Sequence, residues 1–176
     1  MEIIKAIEQG KIFIYPTDTI YGLGCEAGNK EAVEKIKEIK ERDKSKPLSI
    51  IAPSLEWIQE KCVVDCEIEK YLPGPYTLIL KKKNPEFLSW VSSETLGVRI
   101  PANKFTKIIQ ESKKPFITTS VNLSGEPFAL NLEDILEEIK SKVDVIIPVG
   151  GKLSGKPSTL IKEGKILERK NQPKGF

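Results

Sequence analysis

Cations beside hydroxyl-rich loops are the chemistry-bearing residues of this 176-residue chain, which contains no histidine. That absence excludes Ser-His-Asp and Cys-His nucleophilic pairs, histidine metal sites and the usual neutral-pH base. Chemistry here must run on positioning, on Lys and Arg electrostatics, or on a metal carried in by a substrate. Cys25, Cys62 and Cys66 are odd in number and lack zinc-type spacing, so they read as thiols of a reducing compartment.

Five segments concentrate the polar groups. YPTDTIYGLG at 15–24 follows an apolar run and reads as a strand-to-loop connection. It is either a tight turn whose tyrosines pack on the core, or a loop where glycine lets a ligand approach the backbone. KERDKSKPL at 40–48 leaves a helix end with Lys40, Arg42, Lys44 and Lys46. Those cations either complement the helix dipole or form an arm able to grip a polyphosphate. Arg99 stands in the apolar strand LGVRIP at 96–101, turned to solvent or held in a pocket for a carboxylate. SVNLSG at 120–125 and PST at 157–159 place hydroxyls and an amide at strand ends, where α/β sheets bind ligands.

GGKLSGKP at 150–157 imitates a phosphate-binding P-loop, but Pro157 replaces the magnesium-holding hydroxyl. The strand-like STLIK follows where a P-loop requires a helix, so the motif is rejected. Lys81, Lys82 and Lys83 close a strand and read as a solvated face.

Hydrophobic periodicity supplies the elements that must carry these groups. Helices are expected at 2–9, from Asn29 to about 41, after Ser54, from Asn103 to about 112, and near 132–141. Strands are expected at 11–15, 48–52, 76–82, 96–101, 116–120 and 143–149, with a final pair around Gly164. Strands alternating with helices make one α/β domain over 1–176, a twisted mixed sheet flanked by helices. No apolar run is long enough to span a membrane and no signal peptide appears, which implies a cytoplasmic protein.

YPTDTIYGLG, the Lys40-x-Arg42 pair before Lys46-Pro47-Leu48, LPGPYTLIL, GVRIP, TTSVNLSG and PST occur in that order. Together they resemble the YrdC/TsaC family, the L-threonylcarbamoyladenylate synthases, over about 5–170 and in the short single-domain form. The resemblance implies synthesis of threonylcarbamoyl-AMP from L-threonine, bicarbonate and ATP, with magnesium on the nucleotide and release of pyrophosphate. It also implies partner proteins that pass the group to an adenosine next to the tRNA anticodon, and contact with tRNA.

By the same resemblance, Thr19, Arg99, Ser120 and Ser158 hold threonine, and Lys40 and Arg42 act at the reacting phosphates. Lys40, Arg42, Lys46, Thr95, Asn122 and Arg169 hold ATP, and the chain supplies no metal site of its own. The ILERKNQPKG segment around Arg169 departs from the family pattern. So does Ile51, where family members often carry a histidine; a histidine contact to threonine would be missing here. Val121 replaces the usual alanine between Ser120 and Asn122, with little expected loss. The competing reading is a double-stranded RNA-binding module without turnover, using the Lys/Arg clusters on a concave surface.

Overall fold

The decapeptide at 15–24 folds into more than a connection. In the computed structural model, which describes residues 2–169, Phe13–Pro16 (β1) and Tyr21–Gly24 (β2) pair antiparallel. Phe13 lies opposite Gly24 and Pro16 opposite Tyr21, so only 17–20 form the turn. The expectation of a strand-to-loop connection is corrected here, and packing gives the reason. A Cβ on Gly22 would lie 2.8 Å from the Tyr15 ring, and one on Gly24 would lie 2.0 Å from the Ile117 carbonyl oxygen. Both glycines therefore make room for neighbouring strands.

The remaining elements follow the expected order. Helices are Glu2–Glu8 (α1), Lys30–Ile39 (α2), Leu55–Lys61 (α3), Lys104–Ser112 (α4) and Glu137–Lys140 (α5). Strands are Ser49–Ile51 (β3), Cys62–Val63 (β4), Tyr76–Lys82 (β5), Thr95–Arg99 (β6), Phe116–Ser120 (β7), Val145–Ile146 (β8), Thr159–Lys162 (β9) and Lys165–Leu167 (β10). Asn29, Ser54 and Asn103 each accept a backbone N–H of the first turn, capping α2, α3 and α4 as read from the sequence.

Residues near 132–141 do not form one helix. A 3-10 turn at Leu132–Asp134 is closed by a capping box between Asn131 and Asp134, and Ile135 is extended before α5 begins. The predicted strand at 143–149 shrinks to β8, because Pro148 and the glycines after it cannot continue a ladder.

The sheet runs β10-β9-β5-β6-β3-β7-β2-β1-β8, with β4 also on β5. It is mixed: β1/β8, β3/β6 and β5/β9 are parallel, the other pairs antiparallel. Strand alternation sends its residues to two layers. Ile12, Ile14, Leu23, Ile50, Val98 and Ile117 join the large core with Val33 and Ile36 of α2. Phe13, Tyr15, Ile51 and Phe116 join a smaller core with Ile7 of α1 and Phe105 and Ile109 of α4. Tyr15 stacks on Phe105 there, with ring centroids 4.6 Å apart.

The lysine run at 81–83 alternates with the strand. Lys81 and Lys83 are exposed as read, but Lys82 is 2% exposed. Its ammonium donates to the carbonyls of Pro85, Phe87 and Ser92 at 2.7, 2.8 and 2.8 Å, closing the loop after β5. Lys82→Met keeps the aliphatic stem but strands three acceptors, and is expected to cost about 3 kcal/mol, read as a lower denaturant midpoint.

Candidate active site

Part of one face of the central sheet lacks the large side chains that an α/β layer normally presents, although further along the same face Tyr15, Ile51 and Phe116 pack under α1 and α4. Across β2, β7, β3 and β6 the register aligns Gly22 with Ser120, Ser49 with Thr118, and Ser49 with Gly97. Thr77 continues this face on β5. The opposite face carries Leu23, Ile50, Val98 and Leu78. With only hydrogens, hydroxyls and methyls at these positions, that patch of the face cannot fill the space above. A cavity of about 540 Å³ remains, floored by Gly22, Ser49, Thr77, Thr118 and Ser120.

The β1–β2 turn forms one wall. The Thr17 hydroxyl donates to the Ile20 carbonyl at 2.8 Å and lies 2.8 Å from the Thr19 hydroxyl. Thr19, 1% exposed, accepts from Nη1 of Arg99 at 3.3 Å. Nη2 of Arg99 donates to Asp18 at 2.6 Å. Arg99 is thus turned inward and 5% exposed; burial lowers its pKa and Asp18 pulls it back up. Its Nε is buried without a partner.

Lys40, at the end of α2, is 1% exposed. Its ammonium donates to the Ser120 carbonyl, and at 2.9 Å to both the carbonyl and the side-chain oxygen of Asn122. Ser120 donates to the same Asn122 oxygen at 2.6 Å. All three ammonium hydrogens are engaged within the protein, so Lys40 ties α2 to the 120–126 loop instead of reaching into the cavity as an arm. Burial, and then the charge of Arg42, push its pKa down to about 7.

Arg42 is half-buried, donates through Nη2 to the Pro47 carbonyl at 2.9 Å, and leaves its buried Nε unpartnered. On the opposite rim, Ser158 shares a 2.7 Å hydrogen bond with Thr77. Arg169 donates to the Ser158 carbonyl through Nε at 3.1 Å and Nη2 at 2.7 Å, and Nη2 reaches the Ser158 hydroxyl at 3.0 Å. The 150–157 loop is no P-loop, since β9 follows it; it is tied to the β1–β2 turn by Ser154 and Gly155 amides donating to the Asp18 and Thr19 carbonyls.

Thr19, Lys40, Arg42, Arg99, Ser120, Asn122, Ser158 and Arg169 therefore share one cavity. Lys46 and Thr95 are not brought to its wall. Lys46 is exposed on the arm after α2, and Thr95 begins β6, about 13 Å of strand from Arg99. Ile51 shares the sheet face of Ser49 but packs among Tyr15, Phe105 and Phe116, outside the cavity lining. Sequence reading overlooked Ser49, Thr77, Thr118 and Asp18; a small polar residue set among the apolar ones of LSIIA, YTLIL and FITTS was the available signal for the first three. Replacing Lys40 by Gln leaves acceptors of the 120–126 loop unpaired, with about 2 kcal/mol lost and faster amide exchange at 122–126.

The arrangement has solved and curated counterparts. The Sua5/YciO/YrdC family model, described as telomere recombination, matches residues 5–170. A Methanocaldococcus jannaschii protein, provisionally named threonylcarbamoyl-AMP synthase, is 42% identical over 163 residues, covering 90% of this chain and 77% of its own. The threonylcarbamoyl-AMP synthase of Pseudoalteromonas atlantica is 35% identical over 159 residues, covering 85% of this chain and 83% of its own. Pyrococcus abyssi Sua5, crystallised in complex with L-threonine, superposes with a TM-score of 0.80 at 31% identity, over 92% of this chain. This chain spans 49% of that longer protein. With the family model matching nearly the whole length and curated relatives 42% and 35% identical over most of it, the chain belongs to the Sua5/YciO/YrdC family.

Proposed function

We propose that this cavity joins L-threonine, bicarbonate and ATP into threonylcarbamoyl-AMP, releasing pyrophosphate. The observation that carries the reading is a pair of orphans. Among the described residues, the buried side-chain polar atoms without a hydrogen-bond partner are Nε of Arg42 and Nε of Arg99, and both arginines line this cavity. A buried guanidinium donor left unpaired is costly unless an anion completes it. Two such donors fit a substrate bearing a carboxylate and a substrate bearing phosphates.

In this reading Arg99 and Thr19 hold the amino acid's carboxylate and hydroxyl, with Ser158 above it. Arg42 neutralises the phosphates, and the exposed Lys46 closes in from the arm. Ser120 and Asn122, fixed by Lys40, lie between the two. Threonine's amine and bicarbonate give a carbamate and water. A carbamate oxygen then bonds to the α-phosphorus as the bond to the pyrophosphate oxygen breaks. Such a step needs in-line placement and charge neutralisation more than a protein base, which suits a chain without histidine.

Among the described residues no three His, Cys, Asp or Glu side chains cluster to hold a metal. The hydroxyls and guanidiniums fit phosphates, so magnesium would ride on ATP, with the rim carboxylates Glu126 and Glu168 available to its hydration shell. Bound there, it supplies Lewis-acid polarisation of the phosphates.

The product is a mixed anhydride and must be consumed by group transfer. In this reading the acceptor is the adenosine next to a tRNA anticodon, reached through partner proteins in the cytoplasm. No helix among the described residues is long and apolar enough to cross a membrane.

Pyrophosphate release should require threonine and bicarbonate together; release with neither present would make the protein a plain nucleotide hydrolase and end the proposal. Arg99→Ala should raise the KM for threonine about 30-fold with little change for ATP, and Arg42→Ala should do the reverse.

The nucleotide should also move a proton. Burial lowers the pKa of Lys40 to about 7, although its three oxygen acceptors favour the charged form. At pH 8 part of the free protein therefore lacks that proton, and nearby phosphates raise the pKa. A non-hydrolysable ATP analogue should therefore take up a proton at pH 8 and none near pH 6, as read by calorimetry in buffers of different ionisation heat.

A further inference from the structure

The side chains of Arg99 and Asp18 form an ion pair that is 6% and 13% exposed. At such depth the attraction is largely offset by desolvation, so stability alone does not explain it. Its geometry is more informative. Oδ1 of Asp18 accepts from Nη2 of Arg99 at 2.6 Å, and Oδ2 accepts the Ala102 backbone N–H at 3.0 Å. The carboxylate is clamped between the guanidinium and the chain just beyond β6, and cannot rotate without losing a partner. Thr19 holds Nη1, and Thr17 holds Thr19. Both terminal nitrogens of Arg99 are therefore fixed, while Nε is buried and free.

Asp18 does not face the catalytic cavity. It lines a separate cavity of about 450 Å³ on the far side of the turn, and is absent from the lining of the first. Whatever it does for a substrate, it does through Arg99.

We infer that Asp18 is the positioning residue of the amino-acid subsite: from behind the wall it sets the plane of the Arg99 guanidinium, so that a substrate carboxylate meets a preset donor array. The inference deepens the reading above and rests on it. An arginine ordered before the substrate arrives spares the complex the entropy of ordering it afterwards. The nucleotide end of the cavity gains nothing from the pair, so its loss falls on one substrate.

Asp18→Asn keeps the size of the side chain but offers one acceptor oxygen where the site uses two. The KM for threonine should rise about tenfold, with the KM for ATP within about twofold and kcat at saturating threonine nearly kept. Asp18→Glu keeps the charge but shifts it by one methylene. It should raise the threonine KM at least about threefold, and unaltered kinetics there would overturn the positioning role.

In the Arg99→Leu background, Asp18→Asn should add nothing to the threonine KM; an additive loss would also overturn it. Equal rises in both KM values with a lower melting temperature would make the pair merely structural. Should Asp18→Asn not fold, the Glu variant and the double variant, which leaves no unpaired buried charge, decide the matter. A wild-type protein that cannot turn over threonine ends the reading beneath the inference; an active wild type with unaltered variants ends the inference alone.

Discussion

A patch of glycine, serine and threonine on one sheet face is the constraint on which the rest depends. Gly22, Ser49, Gly97, Thr118, Ser120 and Thr77 lie across five adjacent strands, and none can reach far enough to meet a covering layer. The same strands carry Ile, Leu and Val on their other face, where α2 and α3 pack. The floor of the cavity is therefore a direct result of side-chain volume, while the β1–β2 turn and the loops at 122–126 and 157–158 wall it. Gly97 shows how tight the floor is, since a Cβ there would lie 2.3 Å from the Ser49 hydroxyl.

The buried and half-buried cations divide by what satisfies their hydrogens. Lys40 spends its hydrogens on two backbone carbonyls and the Asn122 side-chain oxygen, Lys82 on three backbone carbonyls, and both act as ties between segments. Arg42 and Arg99 keep one buried donor each in reserve. The distinction follows from where each group is held, since a compact ammonium can be enclosed by three acceptors. A guanidinium held only at its tip, as in Arg42 and Arg99, leaves Nε unpartnered, and Arg169, gripped along its edge by Ser158, does not. Net charge alone, +3 for the chain, says nothing of this division.

The order and type of most elements were legible in the sequence because caps and periodicity agree: Asn29, Ser54 and Asn103 each begin the helix their side chains promise. The helix expected near 132–141 was misread because its apolar spacing matches a helix, while the Asn131–Asp134 box closes a single turn. The second strand of the first hairpin was hidden by its glycines, which mark loops in a sequence yet here serve close strand packing. At the site, residue types found Arg99, Ser120 and Ser158, because a charge or hydroxyl at a strand end is conspicuous. They could not reveal that Lys40 is spent internally, or that Asp18 stands behind Arg99. Those facts depend on contacts 80 or so residues apart in the chain.

The pairing of β9 with β5 has a temporal meaning. Ser158 and Arg169 reach the cavity only once Thr159 has aligned beside Tyr76, and the adjoining wall comes from residues 17–20. During synthesis the wall and floor emerge long before the rim that completes them. A partly made chain can thus pack the smaller core and most of the larger one, which still awaits Ile161 of β9, while its site lies open along one side. Closure of the ring around the ligands then coincides with arrival of the last strands, so competence to bind is reached late, after most of the fold has formed.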